Sequence, residues 1–203
     1  MHKSTYDKML WFKNIYLDVS NSLSILDIGS LDTTGRNFNY KSIFNDVSNW
    51  NYTGLDYEDG ENVDILVDDI YNMLEIEDNS YDVVISGQLF EHLEFFWITM
   101  SEIERILKPG GFCCIIAPSG GPKHGNSKHD CYRFYEDGMA ALARYVNLEV
   151  LHVSTNYSEE AKPWCDTCLV AKKELFNEEI NNGLEKRINE LEDKIDKILM
   201  HIE

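Results

Sequence analysis

The chain has 203 residues and a mass of 23.5 kDa, which is enough for one domain of ordinary size. Its 18 basic residues are outnumbered by 36 acidic ones, so the formal net charge is -18. A surface of that charge repels phosphate backbones and anionic lipids, so we expect neither a nucleic-acid partner nor membrane binding. The N-terminal segment lacks the pattern of a signal peptide, and the five cysteines form no disulfide framework. The expected location is therefore cytoplasmic.

Short apolar runs alternate with helical patterns over residues 1–175, which we interpret as one domain. Helices are predicted over residues 4–18, Phe95–Leu107 and Glu136–Val146. The predicted strands are Ser24–Gly29, Tyr52–Asp56, Asp64–Val67, Tyr81–Ser86, Phe112–Ala117, Leu148–Ser154 and Cys168–Ala171. This alternation predicts an α/β fold with a doubly wound, mostly parallel sheet. The last two strands are joined by a polar loop alone, which predicts an antiparallel pair at one edge.

Residues 176–203 are predicted to be a linker and a separate C-terminal helix. Their apolar residues fall at 184, 188, 191, 195, 198 and 202, the spacing of a heptad repeat. Isoleucine at the a positions and leucine at most d positions favour a parallel two-stranded coiled coil, so a homodimer through residues 184–202 is expected. The alternative is a single amphipathic helix folded back on its own domain, because this repeat is short for an independent coil.

Two acidic strand ends lie where a parallel sheet binds cofactors. The first strand runs into a turn through Asp27 and Gly29, and the second strand ends in Asp56, 29 residues after Asp27. A carboxylate at that second position can accept hydrogen bonds from a ribose. In a dinucleotide-binding turn, the second glycine lets the backbone approach a pyrophosphate. Leu31 occupies the place of that glycine in this chain. The turn therefore favours S-adenosylmethionine, which has no phosphate, over a nicotinamide cofactor.

Five segments in this order together resemble a class I S-adenosylmethionine-dependent methyltransferase. They are Ile25–Ser30, Gly54–Asp56, Val67–Ile70, Tyr81–Leu93 and Leu107–Gly111. The resemblance covers about residues 3–173. It implies the family's Rossmann-like fold, whose seven-stranded sheet has an antiparallel last strand.

The resemblance implies a cofactor site along the strand ends. Its residues would be Asp27, Gly29 and Ser30 at the methionine end, Asp56 at the ribose with Tyr57 beside it, Asp69 and Ile70 at the adenine, and Ser86 and Gln88 beneath the sulfonium. Asp27 and Asp69 have a structural alternative, because either carboxylate can cap a turn. Asp56 is the firmest assignment, since an acid that ends a buried strand needs a partner and none lies nearby in sequence.

The segment Pro118–Tyr135 is rich in groups that can accept a proton. It reads PSGGPKHGNSKHDCYRFY and includes His129 and Asp130. This segment resembles one in small methyltransferases that accompany bacterial glycan assembly, which implies a hydroxyl of a small or saccharide acceptor. A hydroxyl loses its proton on methylation, so the candidate catalytic residues are His129, Asp130 and His92. Each histidine could instead be a solvated surface residue.

Three alternatives remain open. A divalent metal could be held by Glu91, His92 and either His124 or His129, as in the RNA 2′-O-methyltransferases of the small-RNA pathway. Gln88 stands where those enzymes have their first glutamate, so no metal is expected. The second alternative is a catalytically silent subunit that binds the cofactor and tethers another enzyme through its coiled coil. The third is a nicotinamide-dependent oxidoreductase, which the missing second glycine disfavours.

Overall fold

The computed structural model describes residues 3–33, 39–123, 129–175 and Leu191. Its helices are α1 (Lys3–Tyr16), α2 (Lys41–Phe44), α3 (Phe96–Ile106) and α4 (Glu136–Tyr145), with 3-10 turns at Phe90–His92 and Glu159–Ala161. Its strands are β1 (Leu23–Ile28), β2 (Trp50–Asp56), β3 (Ile65–Leu66), β4 (Tyr81–Gly87), β5 (Leu107–Pro118), β6 (Glu149–Thr155) and β7 (Asp166–Lys172). All seven strands form one sheet in the order β3-β2-β1-β4-β5-β7-β6.

The sheet is mostly parallel. β1 pairs in parallel with β2 and β4, and the parallel pairing continues to β3 on one side and to β5 on the other. β7 is antiparallel to both β5 and β6, so it lies between them and β6 forms the edge. The α/β class, the mostly parallel sheet and the antiparallel pair near one edge are confirmed.

Helices cover both faces of the sheet. Met100 of α3 and Met139 of α4 are buried on one face. Phe12 of α1 and Phe44 of α2 are buried on the other face. The inner strands β1, β4 and β5 are therefore enclosed on both sides, which explains their continuous apolar runs. Each of these large side chains contributes roughly 1.5–3 kcal/mol by leaving water.

Two connections bear on the sequence predictions. Residues 57–64 form turns between β2 and β3 without a helix. The predicted start of the fifth strand at Phe112 is wrong, because β5 begins at Leu107 and runs through Gly110 and Gly111. Gly110 has a φ of 82°, which a side chain would disfavour, and its amide donates to the carbonyl of Lys173. The glycine pair therefore kinks the start of the strand and keeps it in the sheet.

Among the described residues, no helix is both long and apolar enough to cross a bilayer. The predicted C-terminal helix and its heptad dimer lie outside the described residues, apart from Leu191. The division of the chain at residue 175 and the dimer stay predictions.

Candidate cofactor and acceptor site

Asp27 of β1 is a buried carboxylate with one oxygen to spare. Its Oδ2 accepts a hydrogen bond of 2.6 Å from the hydroxyl of Tyr52 on β2. Its Oδ1 is buried and has no hydrogen-bond partner within the described ranges. Burial raises the pKa of Asp27 to about 7, with the charge of Asp56 adding and the bond from Tyr52 opposing. A buried acceptor without a donor is costly, so Oδ1 is placed to take a donor from a ligand.

The turn after β1 is fixed by its own backbone. The amides of Gly29 and Ser30 donate to the carbonyl of Leu55 at 2.9 and 3.1 Å. Gly29 has a φ of 83°, and a Cβ there would come within 2.9 Å of Leu89, so the fold requires glycine before any ligand arrives. Ser30 Oγ donates to the carbonyl of Asn62, which commits this side chain to holding the loop after β2.

Asp56, at the end of β2, accepts from three backbone amides, two of which follow it directly in the chain. Its Oδ2 accepts from the amide of Leu31 at 3.1 Å, and its Oδ1 accepts from Tyr57 and Glu58 at 2.8 and 3.1 Å. The expectation that no partner lies nearby in sequence is therefore wrong. A carboxylate has about four acceptor positions, so about one remains for a ribose hydroxyl. Burial raises the pKa of Asp56, while the three amide bonds oppose that rise.

Leu31 and Tyr57, which both donate an amide to Asp56, lie beside this carboxylate. The side chain of Leu31, the residue in the place of a glycine, lies against Gly60: a Cβ at Gly60 would be 2.5 Å from its Cδ1. Tyr57 is about half exposed next to Asp56. The leucine therefore packs on the loop after β2.

The predicted adenine contacts divide into one exposed and one buried residue. Asp69 is exposed, and its Oδ1 accepts from the amide of Tyr71 at 2.8 Å, so the turn-capping alternative describes this oxygen. Ile70 is buried against the core on the face that carries α3. Both residues lie in the turn that follows the end of β3.

The end of β4 is tied to its neighbours by two side chains. Ser86 is fully buried, and its Oγ donates to the carbonyl of Ile28 at 2.8 Å, so this hydroxyl joins β4 to β1. Gln88 has a φ of 63°, and its Nε2 donates to Oδ1 of Asp166 at 2.9 Å. The single O–H of Ser86 is therefore used within the fold, whereas the Nε2 of Gln88 has a second N–H beyond the one given to Asp166.

Asp166 is a residue that the sequence did not single out. It begins β7, is 4% exposed, and its Oδ2 accepts from the hydroxyls of Ser4 and Thr5 in α1 at 3.2 and 3.1 Å. Because Gln88 binds the other oxygen, this one carboxylate joins the N-terminal helix to the end of β4. The partners are 78 or more residues apart, so no local sequence signal could have found the contact.

His92 and His129 lie together. His92 Nδ1 is 2.7 Å from the backbone carbonyl of His129. Because a carbonyl only accepts, Nδ1 carries the proton and Nε2 carries the lone pair in neutral His92. His129 is half exposed, with Nδ1 3.7 Å from Oε1 of Glu94. His92 is thus the better-oriented of the two candidate bases.

Asp130, predicted as a candidate base, is paired with Arg133 in the structure. Both of its oxygens accept from the guanidinium of Arg133, at 2.6 and 3.0 Å, and its side chain is 1% exposed. This buried two-point pair raises the pKa of Arg133. A carboxylate held by an arginine fork is a poor proton acceptor, so this pairing does not favour Asp130 as the base, and that role stays a prediction.

Glu91 is the second residue that the predicted site omitted. It is fully buried in the 3-10 turn after β4, and neither carboxylate oxygen has a hydrogen-bond partner among the described residues. Burial raises the pKa of Glu91 to about 8, the charges of Asp166 and Asp130 add to this, and Arg133 opposes it. The sequence feature that could have indicated burial of Glu91 is its position between the apolar residues Phe90 and Leu93, which are both buried in this turn.

Within residues 3–33, 39–123 and 129–175 there is no group of three or more side chains arranged to hold a metal ion. His124, one of the alternative ligands, lies outside the described residues.

A cleft of about 730 Å³ opens beside Asp166. Its walls are the N-terminal half of α1 and the segment that joins β6 to β7. The lining side chains are polar or charged with one aromatic, and they include Lys3, Lys8, Trp11, Asn156 and Glu160. The cleft therefore reaches the same edge of the sheet as Gln88, which bonds to Asp166.

Comparison with known proteins agrees with this geometry. Residues 26–115 match the family described as a methyltransferase domain. An uncharacterized methyltransferase of Mycobacterium bovis (strain BCG / Pasteur 1173P2) is 32% identical over 89 residues, which are 41% of this chain and 33% of that protein. The chain thus spans about a third of the length of this curated relative.

Solved structures share the fold at low sequence identity. An S-adenosylmethionine-dependent methyltransferase from Aquifex aeolicus has a TM-score of 0.59 at 17% identity, over 83% of this chain and 90% of that one. The 1,6-didemethyltoxoflavin-N1-methyltransferase of Burkholderia thailandensis, with bound S-adenosylhomocysteine, has a TM-score of 0.59 at 15% identity, over 84% of each chain. The predicted resemblance to class I methyltransferases is confirmed over residues 26–115 and in the fold, and the neighbour with bound S-adenosylhomocysteine agrees with the predicted cofactor, S-adenosylmethionine.

Proposed function

We propose that this chain, whose residues 26–115 match a methyltransferase domain, moves a methyl group from S-adenosylmethionine to a hydroxyl of a small or saccharide acceptor. The observation that supports this most is the unpartnered Oδ1 of Asp27, buried beside the Gly29 turn inside the matched segment. A positively charged ligand group would supply its missing donor, and the α-ammonium of the cofactor is such a group.

The residues present fit the cofactor at two points. Asp27 would bind the ammonium at the end of β1, and Asp56 has acceptor capacity for a ribose hydroxyl at the end of β2. When bound, the cofactor supplies a methyl group already activated on a sulfonium. The protein then needs chiefly to align an acceptor oxygen behind that methyl, an effect of proximity.

His92 is our candidate for the base. The carbonyl of His129 fixes its Nδ1 proton, so neutral His92 has its lone pair on Nε2, which would accept the proton of a hydroxyl as the new O–CH₃ bond forms. Glu91, 3.7 Å from that Nε2, would be neutral at neutral pH because of its raised pKa, so it would not bind the histidine as an anion. His129 is the second candidate.

The cleft beside Asp166 is our candidate path for the acceptor. It is lined at one end by Asp166, which bonds to Gln88, and its hydroxyl groups together with the amide of Asn156 suit a hydroxylated ligand. Arg133 lies near the same edge and would hold an acidic group of the acceptor, although the fork with Asp130 already occupies part of it.

A transfer assay tests the proposal. Methyl-labelled S-adenosylmethionine would be incubated with a panel of hexoses and nucleotide sugars, beside a matched panel of amines. We expect label in a hydroxylated product alone; label only in amines would contradict the acceptor class. His92→Asn keeps a donor for the His129 carbonyl but removes the base, so transfer should fall about 10²–10⁴-fold with cofactor affinity retained. His129→Asn, compared in the same assay, separates the two histidines.

A further inference from the structure

Tyr40 carries a buried hydroxyl that the fold leaves unused. The residue precedes α2 and is 4% exposed. Its Oη has no hydrogen-bond partner among the described residues. A phenol that loses its bonds to water on burial is destabilising unless it finds another partner, so a persistent orphan is a candidate for ligand contact.

The position of this hydroxyl is set by Gly87, the last residue of β4. A Cβ on Gly87 would lie 2.1 Å from Tyr40 Oη, so the phenol fills the space that a side chain there would need. β1 and β4 are parallel, with Asp27 opposite Ile85. Gly87 is two residues beyond Ile85, and Gly29 is two residues beyond Asp27. The Tyr40 hydroxyl therefore lies at the strand ends, next to the turn after β1.

Tyr40 and Asp27 also share a face of the sheet. Tyr40 packs in the core that includes Ile25 and Ile85, and alternation along a strand puts Asp27 on the same side as Ile25. Burial raises the pKa of Tyr40 first, and the negative charge of Asp27 raises it further, in agreement with their position on one face. One unsatisfied donor and one unsatisfied acceptor thus lie near each other at the cofactor edge.

We propose that Tyr40 Oη donates a hydrogen bond to the α-carboxylate of the bound cofactor while Asp27 Oδ1 accepts one from its α-ammonium. This inference rests on the proposed function, since it assigns a subsite for the amino-acid end of S-adenosylmethionine. The amino-acid end of the cofactor has a carboxylate, which accepts hydrogen bonds, and an ammonium, which donates them, on the same carbon. The unpaired Tyr40 Oη can donate to the first, and the unpaired Asp27 Oδ1 can accept from the second. Tyr40 is a positioning residue, because it fixes the cofactor and touches no group of the acceptor.

Tyr40→Phe removes only the hydroxyl and keeps the ring in the core. Calorimetric titration would compare S-adenosylhomocysteine with 5′-methylthioadenosine, which has the nucleoside and sulfur but no amino-acid end. We expect about 10- to 100-fold weaker binding of S-adenosylhomocysteine and unchanged binding of 5′-methylthioadenosine. The melting temperature without ligand should stay level or rise, because a buried unpaired hydroxyl is lost. Tyr145→Phe, on the exposed part of α4, is the matched control.

The outcomes separate this subsite from the wider proposal. If wild-type protein binds S-adenosylhomocysteine and Tyr40→Phe binds it equally well, the subsite is refuted and the proposed function stands. Equal weakening for both ligands also refutes the subsite, since the hydroxyl would then act elsewhere. If the wild-type protein binds neither ligand, the subsite and the proposed function both fall.

Discussion

Replacement of Asp27 by asparagine is the perturbation for which the structure gives the sharpest expectation. The substitution keeps the shape of the side chain and an oxygen that accepts from Tyr52, but it removes the ionisable group. In the wild-type protein, burial raises the pKa of Asp27 from 3.8 to about 7. The native state therefore keeps a proton that the unfolded chain has already lost, across the range between those two values.

The sign and size of the effect on stability follow. The wild-type free energy of unfolding should fall as pH rises from about 4 to about 7, and this contribution should be level above pH 7. The full contribution is roughly 4 kcal/mol, at about 1.4 kcal/mol per pH unit. Asp27→Asn lacks the group, so this contribution to the pH dependence should be absent. Urea titrations at a series of pH values, with the exposed Asp137→Asn as control, measure the difference.

Cofactor affinity should also depend on the protonation of Asp27, but it should rise with pH over the range in which the stability falls. An α-ammonium binds the ionised carboxylate, so affinity for S-adenosylhomocysteine should rise with pH up to about 7. At pH 5 about one molecule in 100 would be ionised, and the apparent affinity should be about 100-fold below its plateau. Asp27→Asn should bind weakly with little pH dependence over this range. Equal pH profiles for the two proteins would refute the reasoning, because Asp27 would then not meet the ligand's charge.

Three further predictions concern other groups. Between pH 4.5 and about 8 the native Glu91 carboxyl keeps a proton that the unfolded chain loses, so the stability of the wild-type protein should fall over this range. Glu91→Gln should remove that fall. If urea unfolding shows the same pH dependence in the variant and the wild type, Glu91 is solvated. Gly87→Ala should cost about 1–3 kcal/mol in thermal melts, because its Cβ would meet Tyr40, and a neutral result would show that the tyrosine moves aside. Truncation after Leu175 preserves the bond between Lys173 and Gly110 and should give a monomer by sedimentation, whereas a dimer would place the interface outside the heptads.

The sequence predicted the sheet because its inner strands carry a strong local signal. β4 and β5 are buried on both faces, so their apolar runs stand out without knowledge of their neighbours. The Gly29 turn could also be predicted from the sequence, because a φ of 83° restricts that position to glycine in most chains. The start of β5 was misjudged because Gly110 serves there as a kink within a strand, and that depends on its pairing with Lys173.

The site was less predictable because its contacts are made between distant elements. The bond from Tyr52 to Asp27 joins two strands, and the bond from Gln88 to Asp166 joins β4 to β7 across β5. Asp130 was a candidate base in sequence, and in the structure both of its oxygens accept from Arg133, which is three residues further along the chain. Local pattern therefore located the edge of the sheet where the site lies, and tertiary contacts decided which polar atoms remain available there.

Titration of the protein with S-adenosylhomocysteine and, separately, NADH tests the central claim most directly, on wild type and Asp56→Asn. The account predicts binding of the first ligand alone, weakened in the variant by about 1.5–3 kcal/mol as a charge-assisted bond to the ribose is lost. Asparagine retains one oxygen for the amides of Leu31 or Tyr57, which limits damage to the turn. Binding of NADH in preference, or an unchanged dissociation constant in the variant, would contradict the cofactor site described for this edge of the sheet.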